Sequence, residues 1–355
     1  MKVLFLVPYP LNCAPSQRFR FEQYLGLLSE REITYEVQSF LPSRLWSRFY
    51  RKGHYFQKAL TMLGGYWRRF LILFKLHQYD VLFIHREATP LGPGLYQWAL
   101  VTIFRKKIIF DFDDAIWMPN YSAGNSSFSW LKRYKNALWL MKNSWKNSCG
   151  NAYLRDFAGQ FNPNSFELPT TVDTTNTHNR VKKVSADLLT VGWTGTHSTG
   201  AYLESLLPVL RKLQNRAKFK FRIISDINPH FENFDYDFVP WQANTEIDDL
   251  IELDIGLMPL EDDQWALGKC GLKALQYMSL GIPSVVSPVG VNAQIISDGE
   301  NGLFARTEGE WENQIARLLT DSELRMKISK VARPYVESHY SVEANKHKFL
   351  DLFAI

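Results

Sequence analysis

The sequence predicts an α/β protein built from two doubly wound domains, each a parallel sheet covered by helices on both faces. Three observations carry this. Short, near-continuously apolar runs alternate with helical patterns, and the series occurs twice. A segment rich in proline and small polar residues, 162–175, lies between the two series. A chain of 355 residues is too long for one ordinary core and suits two domains of about 150–180 residues.

In the first series, Lys2–Val7 (KVLFLV) reads as a buried strand, followed by a proline-bearing loop and a helix from about Gln17. Strands are expected at Ile33–Phe40, Asp80–His85 and Lys107–Phe112. After the linker come strands at Asp187–Trp193, Lys218–Ser225, Asp254–Leu260 and Ile282–Pro288. Residues 307–353 read as consecutive helices, with Asp321–Leu324 (DSEL) as a start signal. The expected division is 1–165, 166–335, and a C-terminal helix, 336–355, packing back toward the first domain. Two such domains leave a cleft at the carboxyl ends of their strands, where α/β sheets bind ligands.

Composition bounds the function. Hydrophobic residues make up 46% and charged residues 22%, which is ordinary for a folded soluble chain. Cys13, Cys149 and Cys270 are odd in number and far apart, so a reducing compartment is expected and no metal-ligand spacing arises. The N-terminus turns polar too soon for a secretory leader, and no apolar run reaches the ~20 residues of a membrane span. A cytoplasmic location is therefore expected. Charge is uneven: residues 43–79 hold eight Lys or Arg, ten aromatics and no Asp or Glu. This pattern suits a helix on an anionic lipid interface. Solvated helices with aromatics packed inward are the bland alternative, and single-stranded nucleic acid ranks below both.

The segment Gly268–Gly290 (GKCGLKALQYMSLGIPSVVSPVG) concentrates the chemistry. Gly271, Ala274, Leu275 and Met278 fall at helical spacing as a buried face, while Lys269, Lys273 and Gln276 share another. Two ammonium groups and helix N-terminal amides around Lys269, Cys270, Gly271 and Leu272 make an anion site suited to a diphosphate. Gln276 is placed for ribose hydroxyls. An ordinary surface helix with two solvated lysines is the plain alternative.

This segment, continued to Phe304, resembles the donor-binding signature of the retaining GT-B group 1 glycosyltransferases. Gly281–Pro283 (GIP), Asp298–Gly302 (DGENG), Leu168–Asp173 (LPTTVD) and Asp254–Leu260 (DIGLMPL) match further elements of that family in order. The resemblance implies two Rossmann-like domains facing across a cleft, a nucleoside diphosphate sugar as co-substrate, and retention of anomeric configuration. It departs from the family at two positions: Gly268 and Gln276 stand where its two glutamates belong.

Other candidates follow from position. Thr194, Gly195 and Ser198, after the first strand of the second domain, offer hydroxyl and amide donors at a helix N-terminus. In the first domain His85, Arg86 and Glu87 end one strand, and Asp111, Asp113 and Asp114 end the next. Three neighbouring carboxylates repel unless paired with cations or used to bind one. Asp113 and Asp114 are expected to meet acceptor hydroxyls or the loop cations Arg18 and Arg20. A metal-dependent GT-A arrangement is the alternative, and Asp114 as a plain helix cap is a third option. Gln17 and Arg18, opening the next helix, are expected to point into the cleft. The candidate catalytic residues are thus His85, Asp113 and Lys269. Gln17, Arg18, Arg86, Glu87 and Asp114 are placed on the acceptor side, and no metal is expected.

The resulting expectation is a hexosyltransferase-like enzyme acting on a glycan or lipid-linked acceptor in surface polysaccharide synthesis. It would lie in the cytoplasm, with peripheral attachment to the inner face of the membrane through 43–79. A catalytically degenerate nucleotide- or glycan-binding scaffold and a nucleotide-sugar epimerase are the alternatives.

Overall fold

Residues 3–7 of β1 (Lys2–Val7) are fully buried because the strand sits inside a sheet with neighbours on both edges. In the computed structural model, which describes residues 1–49, 53–118, 134–183 and 188–354, β1 pairs in parallel with β2 (Thr34–Ser39) and β3 (Val81–His85). The sheet continues through β4 (Lys107–Phe112), β5 (Lys146–Cys149) and β6 (Ser165–Glu167), in the order β2-β1-β3-β4-β5-β6, all parallel. A second parallel sheet has the order β12-β11-β10-β7-β8-β9. Its strands are β7 (Thr190–Gly195), β8 (Lys220–Ser225), β9 (Asp237–Pro240), β10 (Ile255–Met258), β11 (Ser284–Val286) and β12 (Leu303–Phe304). The chain is α/β with two six-stranded sheets.

The chain divides into two units, 1–169 with 346–355, and 170–345. The first unit includes the C-terminal residues: Phe349 stacks on Tyr24 with ring centroids 4.7 Å apart. Lys146 Nζ donates to the carbonyls of Asp351, Leu352 and Ala354 at 3.1, 3.0 and 2.9 Å. In the second unit, the helices at 200–214 and 308–320 pack on one sheet face through Trp193, Leu207, Phe221, Ile223 and Trp311. The Glu246–Ile251 and Leu272–Ser279 helices cover the other through Leu250, Leu253, Tyr277 and Leu280.

Every expected strand is present, and four short ones are additional: β5, β6, β9 and β12. The sequence KNSC of β5 is polar, yet Asn147–Cys149 are buried, because neighbouring strands and side-chain hydrogen bonds satisfy them. β6 lies inside the stretch expected to be linker, so the crossing between units falls later, after Pro169. Asp187, the expected start of a strand, lies outside the described residues, as do residues 50–52 of the basic segment.

In each sheet the strand order reverses between two neighbours, at β1/β3 in the first and β7/β10 in the second. The carboxyl ends flanking such a reversal are where open parallel sheets leave a crevice.

Candidate functional site

At the reversal of the first sheet, the polar residues neutralise one another. Asp111, at the end of β4, is fully buried. Its Oδ1 accepts from Arg20 Nη2 at 2.5 Å and from Ser148 Oγ at 2.7 Å. Its Oδ2 lies 2.7 Å from Nδ1 of His85, the last residue of β3. Burial opposes the charge, but the Arg20 guanidinium and the His85 bond outweigh it and hold the carboxyl well below the usual carboxylate range. Arg20 Nη1 also donates to the carbonyl of Leu168. His85 is fully buried, and its Nε2 has no hydrogen-bond partner among the described residues.

Arg86 clamps the remaining two carboxylates. Its Nε donates to Asp113 Oδ1 at 2.7 Å and its Nη2 to Asp114 Oδ2 at 2.5 Å. Arg86 has φ +58, and its N–H donates to the Asp111 carbonyl at 2.7 Å. Burial works against its charge, but Asp113 and Asp114 raise its pKa well above the ordinary value. The sequence reading did not single out Arg86 as a partner of Asp113 and Asp114. Arg86, arriving from the adjacent strand end, reaches both, and Arg20 is spent on Asp111.

Gln17 turns into its own loop. It is buried, with Nε2 donating to the Tyr9 carbonyl (3.0 Å) and Glu22 (2.9 Å), and Oε1 accepting from the Tyr9 N–H (2.9 Å). It braces the loop after β1, which lacks a glycine pair. Arg18 ends the four-residue Pro15–Arg18 helix, its guanidinium 5.1 Å from the Phe19 ring. Glu87 is half-buried beyond β3, its N–H donating to the His85 carbonyl.

The reversal of the second sheet is built differently. The helix of the glycine-bounded segment runs from Leu272 to Ser279, so Lys269 and Cys270 lie in the loop before it rather than in its first turn. Gly271 takes φ +70, and a Cβ there would lie 2.3 Å from Ile295 Cδ1, which is why glycine stands at this turn. With Gly271 as N-cap, no side chain caps the helix. The Lys269 amide donates to the Ala266 carbonyl at 3.0 Å, so it belongs to the preceding turn and not to the anion-binding set.

Beyond its first turn this helix is buried on every side, since the Ser322–His339 helix covers it: Ser329 Oγ and Arg333 Nη1 bond the carbonyls of Gly281 and Ser279 at 2.6 Å. The expected polar face is thus reduced to its N-terminal end. Gln276 is buried, and its Nε2 donates to Glu246 at 3.2 Å, which also accepts from Trp241 Nε1 at 3.0 Å. A carboxylate therefore does stand beside Gln276, supplied by another helix.

Lys273 remains at the open end. It is half-buried, its Nζ 5.1 Å from the centre of the Trp193 ring, and Lys269 Nζ stands 5.1 Å over Trp265. Burial and then the Lys269 ammonium push the Lys273 pKa down to about 7. No carboxylate pairs with Lys273 among the described residues. Thr194 is buried at the end of β7, and its N–H donates to the Tyr277 hydroxyl at 3.0 Å. Gly195 leaves room for the Trp193 indole, which a Cβ would approach to 2.3 Å. Ser198 Oγ pairs with Thr196 Oγ1 at 2.7 Å.

Beside them lies a pair that sequence reasoning missed. The His197 N–H and Nδ1 both reach Asp226, at 2.7 and 2.6 Å. The register supplies it, because Gly195 pairs with Ser225 and the residues just after β7 and β8 are then neighbours.

The comparisons with known proteins agree with this layout. A family model of group 1 glycosyl transferases matches residues 178–321. No curated protein matches by sequence. Among solved structures, the chain resembles sucrose-phosphate synthase from Thermosynechococcus elongatus (TM-score 0.70, 12% identity, covering 100% of this chain and 98% of that one). It also resembles Anabaena HepE in complex with UDP and glucose (0.66, 15%, 100% and 99%). A third is WaaB, a lipopolysaccharide outer core galactosyltransferase (0.61, 12%, 100% and 99%).

Proposed function

Since residues 178–321 match the model of the group 1 glycosyl transferases and the chain has the GT-B fold, we propose that the protein moves a hexose from a nucleoside diphosphate sugar to a glycan or lipid-linked acceptor. One observation carries the reading: a half-buried ammonium, Lys273, with no carboxylate partner among the described residues, at the sheet reversal of the family-matched unit. A protein does not bury such a charge without cost. A diphosphate placed between Lys273 and Lys269, near the uncapped helix start, would relieve that cost. HepE has been solved with UDP and with UDP-glucose, which makes UDP-hexoses the first donors to try.

In the reaction the bond from the sugar's anomeric carbon to the diphosphate breaks, a bond to the acceptor oxygen forms, and the acceptor proton passes to the departing diphosphate. Negative charge grows on the departing diphosphate, and fixed positive groups stabilise the transition state more than the ground state. Lys269 and Lys273 carry that role. His85 and Asp113 act as frame, positioning the loops around the acceptor side rather than touching the reacting atoms. Retention of configuration, a role in surface polysaccharide synthesis and independence of metal are further parts of the proposal. The anomer of the product, read by NMR, tests the first.

The decisive experiment is donor hydrolysis and transfer with Lys273→Ala and with Lys269→Ala, Lys273→Ala. A fall in kcat/KM on the order of 10²- to 10³-fold is expected for Lys273→Ala, with the fold intact by circular dichroism. Wild-type rates in the double variant would overturn the mechanism. The glycine at 268, where the related enzymes carry a carboxylate, favours one second reading: a binding scaffold, revealed by UDP binding in calorimetry without turnover of any donor.

A further inference from the structure

The Tyr55–Leu73 helix of the first unit is inside out. Its buried positions are Thr61, Gly65, Arg69 and Ile72. Gly65 is pressed against the Phe40 ring, where a Cβ would come within 2.5 Å. Arg69 is fully buried and spends its guanidinium on the carbonyls of Ala88, Gln38 and Val7, each at 2.9 Å, and on Gln38 Oε1 at 2.6 Å. The apolar residues face the other way. Phe56, Leu60, Leu63, Trp67, Phe70 and Phe74 are all exposed, Phe56 to 77% and Trp67 to 60%.

Their spacing alternates four and three residues, which places them in one stripe along the helix and its C-terminal extension. The stripe is self-ordered: Trp67 stacks on Phe70 at 5.5 Å, and Phe70 meets Phe74 edge-on at 5.4 Å. Tyr66 on its flank bonds the Leu91 carbonyl at 2.6 Å, tying the helix to the segment before Leu95–Thr102. That second helix exposes Leu95 and Trp98. A helix that serves only the fold of its own domain turns its apolar side inward, and an exposed stripe of this length marks an interface.

Charge decides the occupant. Residues 43–79 carry eight Lys or Arg and no Asp or Glu, while the rest of the chain holds 33 basic against 36 acidic residues. Apart from the buried Arg69, the helix and its extension carry Lys58, Arg68 and Lys75 and no carboxylate, so self-pairing sets like charges together. An anionic lipid surface satisfies both halves of the pattern at once: aromatics enter the headgroup–acyl boundary and cations meet phosphates. Among the described residues no helix is long and apolar enough to cross a membrane, so the helix would lie in the surface plane.

We propose that the Tyr55–Leu73 helix docks flat on an anionic lipid membrane through the Phe56–Phe74 stripe. This stands apart from the donor chemistry, because it needs no turnover.

The test is flotation of the full chain with vesicles of phosphatidylcholine mixed with phosphatidylglycerol, against phosphatidylcholine alone. The protein is expected to float with the mixed vesicles at low salt, and to be released near 1 M salt, where the screening length is only ~3 Å. The triple variant Phe56→Ser, Trp67→Ser, Phe70→Ser is expected to lose at least about tenfold in partitioning. These side chains are exposed, so its circular dichroism and melting should match wild type. Lys58→Gln with Lys75→Gln should weaken binding only on anionic vesicles. Absence of flotation at low salt would overturn the proposal, as would equal binding to neutral vesicles or an unaffected triple variant. A dimer in light scattering that the triple variant dissolves, with no vesicle binding, would overturn it in favour of a second copy.

Discussion

The two sheet reversals treat their charged residues in opposite ways. At β1/β3 every carboxylate is matched: Asp111 by Arg20 and His85, Asp113 and Asp114 by Arg86. At β7/β10 two ammonium groups stand together, and one of them, Lys273, has no carboxylate partner among the described residues. A network of paired charges fixes geometry, and here only His85 Nε2 is left without a partner among the buried polar atoms of these side chains. An open one stores repulsion that an anion relieves. The first region therefore reads as a frame and the second as a receptor, although both lie where their sheets leave a crevice.

The largest effect should come from opening the closed network. Arg20→Ala leaves Asp111 buried with only neutral or titratable partners, and removing one member of a buried pair costs about 3–5 kcal/mol. Urea denaturation at neutral pH measures it. The sign follows from Asp111, whose folded pKa is depressed: its contribution is present above the ordinary carboxyl value and is lost as pH falls through it. Wild type should therefore lose part of its advantage over Arg20→Ala on acidification. If the two proteins denature at the same urea concentration at pH 7, the network is decorative.

Much of this contrast was legible in the sequence, and the illegible part has physical causes. Strands such as KVLFLV and VLFIH are apolar enough to declare a buried parallel sheet. β5, with the sequence KNSC, declares nothing, since its burial depends on Met141 and Asp111 reaching it from elsewhere. Lys269 and Lys273 could be picked out from their spacing beside glycines, whereas the burial of Gln276 against Glu246 could not. Helical periodicity assigned Gln276 a polar face, but Glu246, from another helix about thirty residues earlier in the chain, meets it there. Partner choice among Arg18, Arg20 and Arg86 could not be read at all. All three lie near strand ends, and only the register that puts His85 opposite Asp111 decides which reaches which.

The open region can be sharpened with pH. Lys273, with a pKa pushed down to about 7, is charged below that value and neutral above it. Affinity for a nucleoside diphosphate should therefore be greatest below about pH 7 and fall toward about tenfold per unit above it. Binding should raise the lysine's pKa, so calorimetry near pH 8 should register proton uptake through its dependence on buffer. The same depression makes the empty protein gain stability between about 7 and the ordinary value of 10.5, because there the unfolded chain binds a proton that the folded one does not. Lys273→Arg keeps its charge throughout, so both dependences should flatten. Retention of the wild-type pH profile in Lys273→Arg would move the titrating group elsewhere.

The smallest expected effect asks whether the frame can be turned into a receptor. Arg86→Gln keeps a hydrogen-bonding side chain but removes the cation between Asp113 and Asp114. Two carboxylates held by the same short loop then repel, and a divalent cation becomes the simplest replacement for the guanidinium. Millimolar Mg2+ should leave the wild-type melting temperature unchanged, since Arg86 already fills the position. In Arg86→Gln it should restore about 1 kcal/mol, which is ~2–4 °C for a unit of this size. The arginine variant Arg86→Lys is the control, because it keeps one charge while losing the two-pronged reach, and so should respond to Mg2+ less than Arg86→Gln. A wild-type protein stabilised by Mg2+ as strongly as the variant would mean that the carboxylates are not closed off. The contrast between the two sheet reversals would then fail at its first term.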